Sequence, residues 1–162
     1  MANPKSTVSI AGHPIHPMLV PFPIALFVAT FVCDVIYWQT ASTAWSTAAI
    51  WLLGGGLVGA AIAAVIGLID VFGEQRIRAL NDTWWHAGGN VVMVLIQLYS
   101  FYARYSEGPS ATAPKGLLLS LIAVCILLFT GWKGGELVFR YRDGVLDSAL
   151  GAADESPTRR AA

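Results

Sequence analysis

Apolar residues are gathered along the chain into long stretches that are separated by short polar links. Three long, almost uncharged stretches and a fourth marginal one run from Met18 to Trp38, Thr47 to Phe72, Trp84 to Tyr102 and Gly116 to Phe139. Crossing the hydrocarbon layer of a membrane takes about 20 apolar residues in a helix with ~1.5 Å rise per residue. The stretches show no strand-like alternation, and only helices or closed barrels satisfy the backbone in lipid. The pattern therefore predicts membrane-spanning helices.

Composition agrees with this interpretation and limits the possible partners. The chain of 162 residues is 56% hydrophobic and 12% charged, whereas soluble domains carry about 25% charged residues. Its formal net charge of zero gives no basic face for nucleic acid, so the lipid bilayer is the expected partner. We predict an all-α polytopic membrane protein, a four-transmembrane-helix up-down bundle over residues 18–139. A proline- and histidine-rich entry segment (1–17) precedes it, and a disordered cytoplasmic tail (140–162) follows.

The basic residues predict the orientation of such a bundle. With four spans, the N-terminus, the middle loop and the C-terminus lie on the same side of the membrane. Two basic residues, Arg104 and Lys115, fall on the other side. The first side is much richer, with Lys5, Arg76, Arg78, Arg140, Arg142, Arg159 and Arg160. Because cytoplasmic loops carry the excess of lysine and arginine, both termini are expected in the cytoplasm.

Prolines and small residues predict how the first two spans begin and pack. Since residues before proline avoid helical backbone angles, His13 and His16 are expected to be extended or capping. The first helix is then expected to begin between Pro17 and Pro21. In the second span, small residues recur every fourth position at Gly55, Gly59, Ala63 and Gly67. Such a stripe indicates a helix at the centre of the bundle or at a dimer contact.

The two halves of the chain show no repeat of residue identities. Many secondary transporters carry an inverted repeat, so its absence counts against that class. One intramembrane charge is Asp34, near the outer end of the first helix. At that depth the carboxylate is expected to meet Arg104 or Lys115 as a structural ion pair, and a proton or ion relay is the alternative.

Ionisable residues from every span meet at the cytoplasmic end of the predicted bundle. All three histidines, His13, His16 and His86, belong to this group. They are the candidate cofactor ligands, and with Asp70 they form the candidate set for a bare metal. Supporting polar residues are Asn90, one turn deeper than His86, together with Lys133 and Glu136. The alternative is structural: the histidines cap helices, Asp70 pairs with Arg76 or Arg78, and Lys133 pairs with Glu136.

This group of side chains is compatible with three functions. Imidazole suits zinc, copper, iron or nickel, and two histidines also hold a haem through its axial positions. The chain is therefore first a candidate redox subunit with haem b or a transition metal, exchanging electrons with a protein partner or a quinone. A non-enzymatic structural or scaffold subunit, for which a homo-oligomer is one expected assembly, is the alternative. Histidine beside carboxylate also passes protons, so proton or small-ion transport is third. No catalytic residue is assigned by the pattern.

Five motifs resemble a bacterial membrane family catalogued as domain of unknown function 2231. They are Gly12–Met18 (GHPIHPM), Phe22–Ile24 (FPI), Gly67 with Asp70, His86, and Gly131–Val138 (GWKGGELV). The resemblance implies a four-helix protein of the bacterial inner membrane, without an established activity. Some members are joined to Rieske-type or cytochrome c-type domains, which suggests electron transfer. Tyr141 stands where the family often has a histidine, which weakens any scheme that needs four histidines.

Overall fold

The protein is built almost entirely of α-helices, as the sequence predicts. The computed structural model describes residues 3–4 and 6–145, so the predicted tail from 146 onward lies outside the described residues. Six α-helices follow one another in the described chain: α1 (Ile15–Leu19), α2 (Pro21–Thr40), α3 (Thr43–Gly73), α4 (Gln75–Arg78), α5 (Asn81–Glu107) and α6 (Leu117–Phe139). A two-residue hairpin precedes them, formed by β1 (Ser9–Ile10) and β2 (His13–Pro14). A short 3-10 helix (Gly108–Ala111) and a π-helical turn (Thr112–Gly116) join α5 to α6.

Three helical stretches of the described chain are long and apolar enough to cross a membrane: Ile15–Thr40, Thr43–Gly73 and Asn81–Phe139. The third contains two separate helices, α5 and α6, because Ala113 leaves the helical conformation at φ −143° and ψ 141°. His86 near the start of α5 contacts Thr130 near the end of α6, so these two helices run in opposite directions. The most extensive packing joins α2 to α3 and α5 to α6.

The entry into the first helix differs from the prediction in one respect. His13 is extended in β2, but His16 lies inside α1, which begins at Ile15 rather than after Pro17. The expectation that His16 would be extended or capping is therefore wrong. Pro17 is the third residue of α1, and in a first turn its missing N–H leaves no helical hydrogen bond unmade. The Ile15 N–H donates to the Val8 carbonyl at 3.0 Å, which ties the hairpin to this turn.

The small-residue stripe of α3 faces the first two helices. A Cβ built on Gly55 would lie 3.5 Å from Leu26, and one on Gly59 would lie 3.5 Å from Pro23. Directly after Gly55, a Cβ at Gly56 would lie 2.7 Å from the Phe27 ring. The small residues of the stripe therefore pack against other helices of the same chain, which agrees with the predicted central position of this helix in the bundle.

Burial reveals a repeat that residue identities do not. Each buried residue of α2 has a buried counterpart in α5 seventy positions later: Pro23 and Met93, Phe27 and Gln97, Thr30 and Ser100, Cys33 and Ala103, Asp34 and Arg104. Buried residues of α3 have buried counterparts in α6 sixty-seven positions later: Leu53 and Ser120, Gly56 and Ala123, Ala63 and Thr130, Asp70 and Leu137. His16 and His86 are also seventy apart and lie together, so the repeat is parallel. The residues differ in chemistry at most of these positions, which hides the repeat in the sequence.

Candidate functional site: a histidine pair

His16 lies against the backbone of α3. Its Nδ1 is 2.9 Å from the Ala63 carbonyl oxygen. One turn further along α3, a Cβ on Gly67 would be 2.8 Å from His16 Cε1. Only glycine at this position leaves room for the imidazole to reach the carbonyl. The side chain is thereby fixed by one hydrogen bond and one steric contact.

His86 lies against α6 in the same way. Its Nδ1 is 2.8 Å from the Thr130 carbonyl oxygen. The residue one turn further is again glycine, and a Cβ on Gly134 would be 2.9 Å from His86 Cε1. Both halves of the fold therefore hold a histidine in the same way, against a helix carbonyl and a glycine four residues later.

The two histidines form a close pair, with ring centroids 6.3 Å apart and ring planes at 84°. A carbonyl oxygen can only accept a hydrogen bond, so each Nδ1 carries the proton that is donated. In the neutral ring, Nε2 then keeps its lone pair. Histidines that bind metals are oriented in this way, with the other ring N–H on a carbonyl or carboxylate. We call His16 and His86 the histidine pair.

Asn90 supports His86 from one turn deeper, where the sequence places it. Its Nδ2 donates to the His86 carbonyl oxygen at 2.8 Å and lies 3.4 Å from His86 Nε2. Its Oδ1 accepts a hydrogen bond of 3.2 Å from the Thr130 hydroxyl. Within the part of the chain that the structure describes, no such neighbour reaches Nε2 of His16. The pair is thus asymmetric in its polar surroundings.

The other proposed ligands are engaged elsewhere. His13 is exposed on the hairpin, and its Nδ1 lies 3.1 Å from the Ala11 carbonyl oxygen. Asp70 accepts hydrogen bonds from the Ser6 hydroxyl at 3.0 Å and the Val8 N–H at 2.8 Å. Among residues 3–4 and 6–145, no group of three or more His, Cys, Asp or Glu side chains is placed to hold a metal ion. The structure brings together His16, His86 and Asn90 from the predicted set.

Lys133 and Glu136 form a charged rim beside the pair, centred on a residue that sequence reasoning missed. Lys133 Nζ lies 2.9 Å from Asp82 and 3.7 Å from Glu136, the second being the predicted pair. The Tyr141 hydroxyl donates to the other Asp82 oxygen at 3.2 Å. The signal for Asp82 was its position one turn before His86 on α5. Tyr141 thus belongs to this rim.

The last described residues pack on the N-terminal segment near the same end. The Gly144 N–H donates to the Pro4 carbonyl at 3.0 Å. Beside it, the half-buried Asp143 has a carboxylate oxygen without a hydrogen-bond partner among the described residues. Burial raises the pKa of Asp143 to about 6, and the nearby charges of Asp70 and Glu74 act in the same direction. Ionisation of this carboxyl group therefore opposes the contact.

We expect the contact between the two segments to loosen between about pH 4 and pH 6. The folded pKa lies above the unfolded value of about 3.9, so stability is full at low pH and is lost as pH rises through the folded pKa. Allowing for solvent screening, the loss is about 1 kcal/mol. Hydrogen exchange of the Gly144 amide measures it, with Asp143→Asn as the control at each pH. Equal pH dependence in the two proteins would show that Asp143 is not the cause.

At the opposite end of the helices, the predicted ion pair of Asp34 is formed with Arg104. The two terminal guanidinium nitrogens of Arg104 each lie 2.7 Å from an oxygen of the Asp34 carboxylate, and both side chains are almost fully buried. Ser120 donates to the same carboxylate at 2.7 Å, and Arg104 Nε donates to the Ser100 hydroxyl oxygen at 3.2 Å. Both charges are therefore paired and hydrogen-bonded. The pair joins α2 to α5 at equivalent positions of the two halves.

Comparison with known proteins confirms the resemblance found in the sequence. A family model described as a predicted membrane protein, DUF2231, matches residues 12–147. No curated protein and no solved structure matches the chain. The match includes the histidine pair, its two glycines and the buried ion pair.

Proposed function

Since the chain belongs to the DUF2231 family of predicted membrane proteins, we propose that it is a redox subunit of the bacterial inner membrane. In this proposal His16 and His86 would hold one transition-metal centre through their imidazole rings. The centre is a haem iron or a copper ion, which both accept imidazole ligands and change oxidation state by one electron. Electrons pass between this centre and a partner protein or a quinone.

The proposed topology has four crossings with both termini in the cytoplasm. Helix α5 has 27 residues and α6 has 23, lengths of about 40 Å and 35 Å at the helical rise, so each is long enough to span alone. Because the chain reverses direction between α5 and α6, the stretch Asn81–Phe139 supports two membrane crossings rather than one. The excess of basic residues near the termini and the α3–α5 link supports the orientation. The histidine pair would then lie near the cytoplasmic surface.

The separation of the two rings is the observation that carries the proposal. Two imidazoles that held one metal ion at about 2.0 Å each would have ring centres up to about 6 Å apart. The histidine pair has a centroid separation of 6.3 Å. Both rings are held by the backbone, so the spacing belongs to the scaffold rather than to the side-chain rotamers.

The number of ligands favours a centre that needs only two protein donors. Structural zinc sites take four protein ligands and catalytic zinc sites take three. The described residues offer only the pair at this place. A haem would bring four nitrogens of its own and would take only its remaining ligands from the protein, a role that two histidines can fill. A copper ion is the second candidate centre for one-electron transfer, and the absorbance measurement described below distinguishes it from haem.

Transport has less support from the packing. A buried apolar cluster contains Phe27, Leu53, Met93, Ala123 and Leu127. On α5, Met93 lies between Asn90 and the polar residues near Arg104, and on α6 the cluster separates Thr130 from Ser120. An apolar layer of this kind interrupts the continuous polar path that a proton or ion needs.

We expect the protein, purified in detergent from a host grown with iron and copper, to carry about one metal per chain. His16→Ala and His86→Ala should each reduce bound metal at least tenfold, because one imidazole remains. His13→Ala should retain it, since that side chain is exposed and bonded within the hairpin. Helical circular dichroism checks that each variant is folded.

The absorbance spectrum of the purified protein distinguishes haem from copper. Haem gives an intense Soret band and a haemochrome with pyridine, whereas copper appears in elemental analysis without either signal. A colourless and metal-free wild-type protein would remove the proposal in favour of a scaffold subunit. Equal metal content in all three histidine variants would do the same.

A further inference from the structure

A second polar feature lies inside the bundle, away from the histidine pair. Gln97 on α5 is 0% exposed. Both its amide nitrogen and its amide oxygen lack a hydrogen-bond partner among the described residues. A buried amide without partners costs about 1–3 kcal/mol for each group, and more in an apolar medium. An amide at this position therefore points to a partner other than the protein's own side chains.

The next turn of α5 supplies the groups that such a partner would need. Ser100, three residues further along the helix, is also 0% exposed, and its hydroxyl oxygen accepts from Arg104 Nε at 3.2 Å. Its hydroxyl hydrogen has no acceptor within the described part of the chain. Side chains three residues apart on a helix lie about 5–6 Å apart at Cβ, a gap that one water molecule bridges. Thr30, the counterpart of Ser100 in the other half, is fully buried as well.

We propose that Gln97 binds an internal water molecule that links its amide to the Ser100 hydroxyl. The water accepts from the Gln97 amide nitrogen or donates to its oxygen, and it accepts the Ser100 hydroxyl hydrogen. Buried waters of this kind make about three hydrogen bonds to groups that are otherwise unsatisfied. The hydrogen-bonded network of the Asp34–Arg104 pair thereby extends one turn into the core.

The packing favours water over a larger ligand. Phe27 and Leu53, from the apolar core cluster that also contains Met93, are 0% exposed, as are the polar residues of this turn. A water molecule needs only about one probe sphere of space together with two to four polar partners. Met93, one turn from Gln97 towards Asn90, is buried and apolar. The site is thus continuous with the ion pair and separated from the histidine pair, so it stands independently of any metal.

Solid-state NMR of the full chain in lipid tests the proposal. The chain contains three glutamines, and Gln39 and Gln75 are exposed, so they serve as hydrated references when all side-chain amides carry ¹⁵N. We expect polarisation from water to reach the Gln97 amide at mixing times similar to those of the references. Gln97→Met assigns the signal by removing it. A build-up as slow as that of the buried Ala123 methyl group would overturn the proposal.

Thermal unfolding of Gln97→Met gives a second measurement. If the amide holds water, the apolar replacement leaves the Ser100 hydroxyl without its partner, and the unfolding midpoint should stay level or fall. If the amide is simply unsatisfied, removing it should raise the midpoint, and that result would contradict the proposal. Gln39→Met, at an exposed position of α2, is the matched control and should leave the midpoint unchanged.

Discussion

Arg104→Met is expected to destabilise the protein by about 3–5 kcal/mol, the largest effect of any single change described here. The substitution leaves the Asp34 carboxylate buried with one remaining side-chain donor among the described residues, Ser120. Removing one partner of a buried ion pair costs more than the pair contributes, because an uncompensated charge stays in an apolar medium. The free energy of unfolding in detergent or lipid, measured with a denaturant, gives the size of the loss.

The parallel repeat offers a sharper form of this experiment. Because positions 34 and 104 are equivalent in the two halves, Asp34→Arg together with Arg104→Asp should restore most of the stability that either single change removes. Recovery should be partial, since Ser120 corresponds to Leu53 in the other half and the exchanged carboxylate loses that donor. A double variant as unstable as the two single variants would show that the positions are not equivalent.

An exposed ion pair of the same chain is the control for these variants. Lys115 lies 2.6 Å from Glu107, and both side chains are largely in solvent. Surface pairs contribute about 0–1 kcal/mol, so Lys115→Met should have little effect. If Arg104→Met were no more harmful than Lys115→Met, burial would not be what makes the Asp34–Arg104 pair important.

Gly134→Ala is expected to abolish metal binding at the histidine pair and to lower stability by about 1–3 kcal/mol. The added Cβ would lie 2.9 Å from Cε1 and 3.0 Å from Nδ1 of His86, closer than atoms in proteins normally approach. The ring must therefore move away from the Thr130 carbonyl, and the 2.8 Å hydrogen bond is lost. Bound metal per chain and the thermal unfolding midpoint are the two measurements.

Gly131→Ala, three residues earlier on the same helix, is the matched control. A Cβ there meets nothing within 4 Å, so this change should retain the metal. It should also be neutral or slightly stabilising, since alanine is favoured over glycine in helices by about 1 kcal/mol. Gly67→Ala should reproduce the effect of Gly134→Ala at His16. Full metal content in both Gly67→Ala and Gly134→Ala would refute the role assigned to the two glycines.

Part of the site could be predicted because depth along a helix follows from position in the chain. Counting residues from the ends of the apolar stretches placed His16, His86 and Asn90 at one end, and Asp34 near Arg104. The choice between His13 and His16 could not be made in this way, because two prolines suggested the same extended backbone for both. The structure places His13 in an exposed hairpin and His16 in a helical turn.

The sequence by itself determined that the chain is all-α and has apolar helices long enough for a membrane. Those properties depend on the length and hydropathy of contiguous runs, which a linear pattern contains in full. Only the tertiary structure decided which face of each helix meets which neighbour. That choice depends on contacts between residues dozens of positions apart, such as glycine against histidine across α6 and α5. The histidine pair, the parallel repeat and the unpartnered amide of Gln97 all arise from this non-local packing.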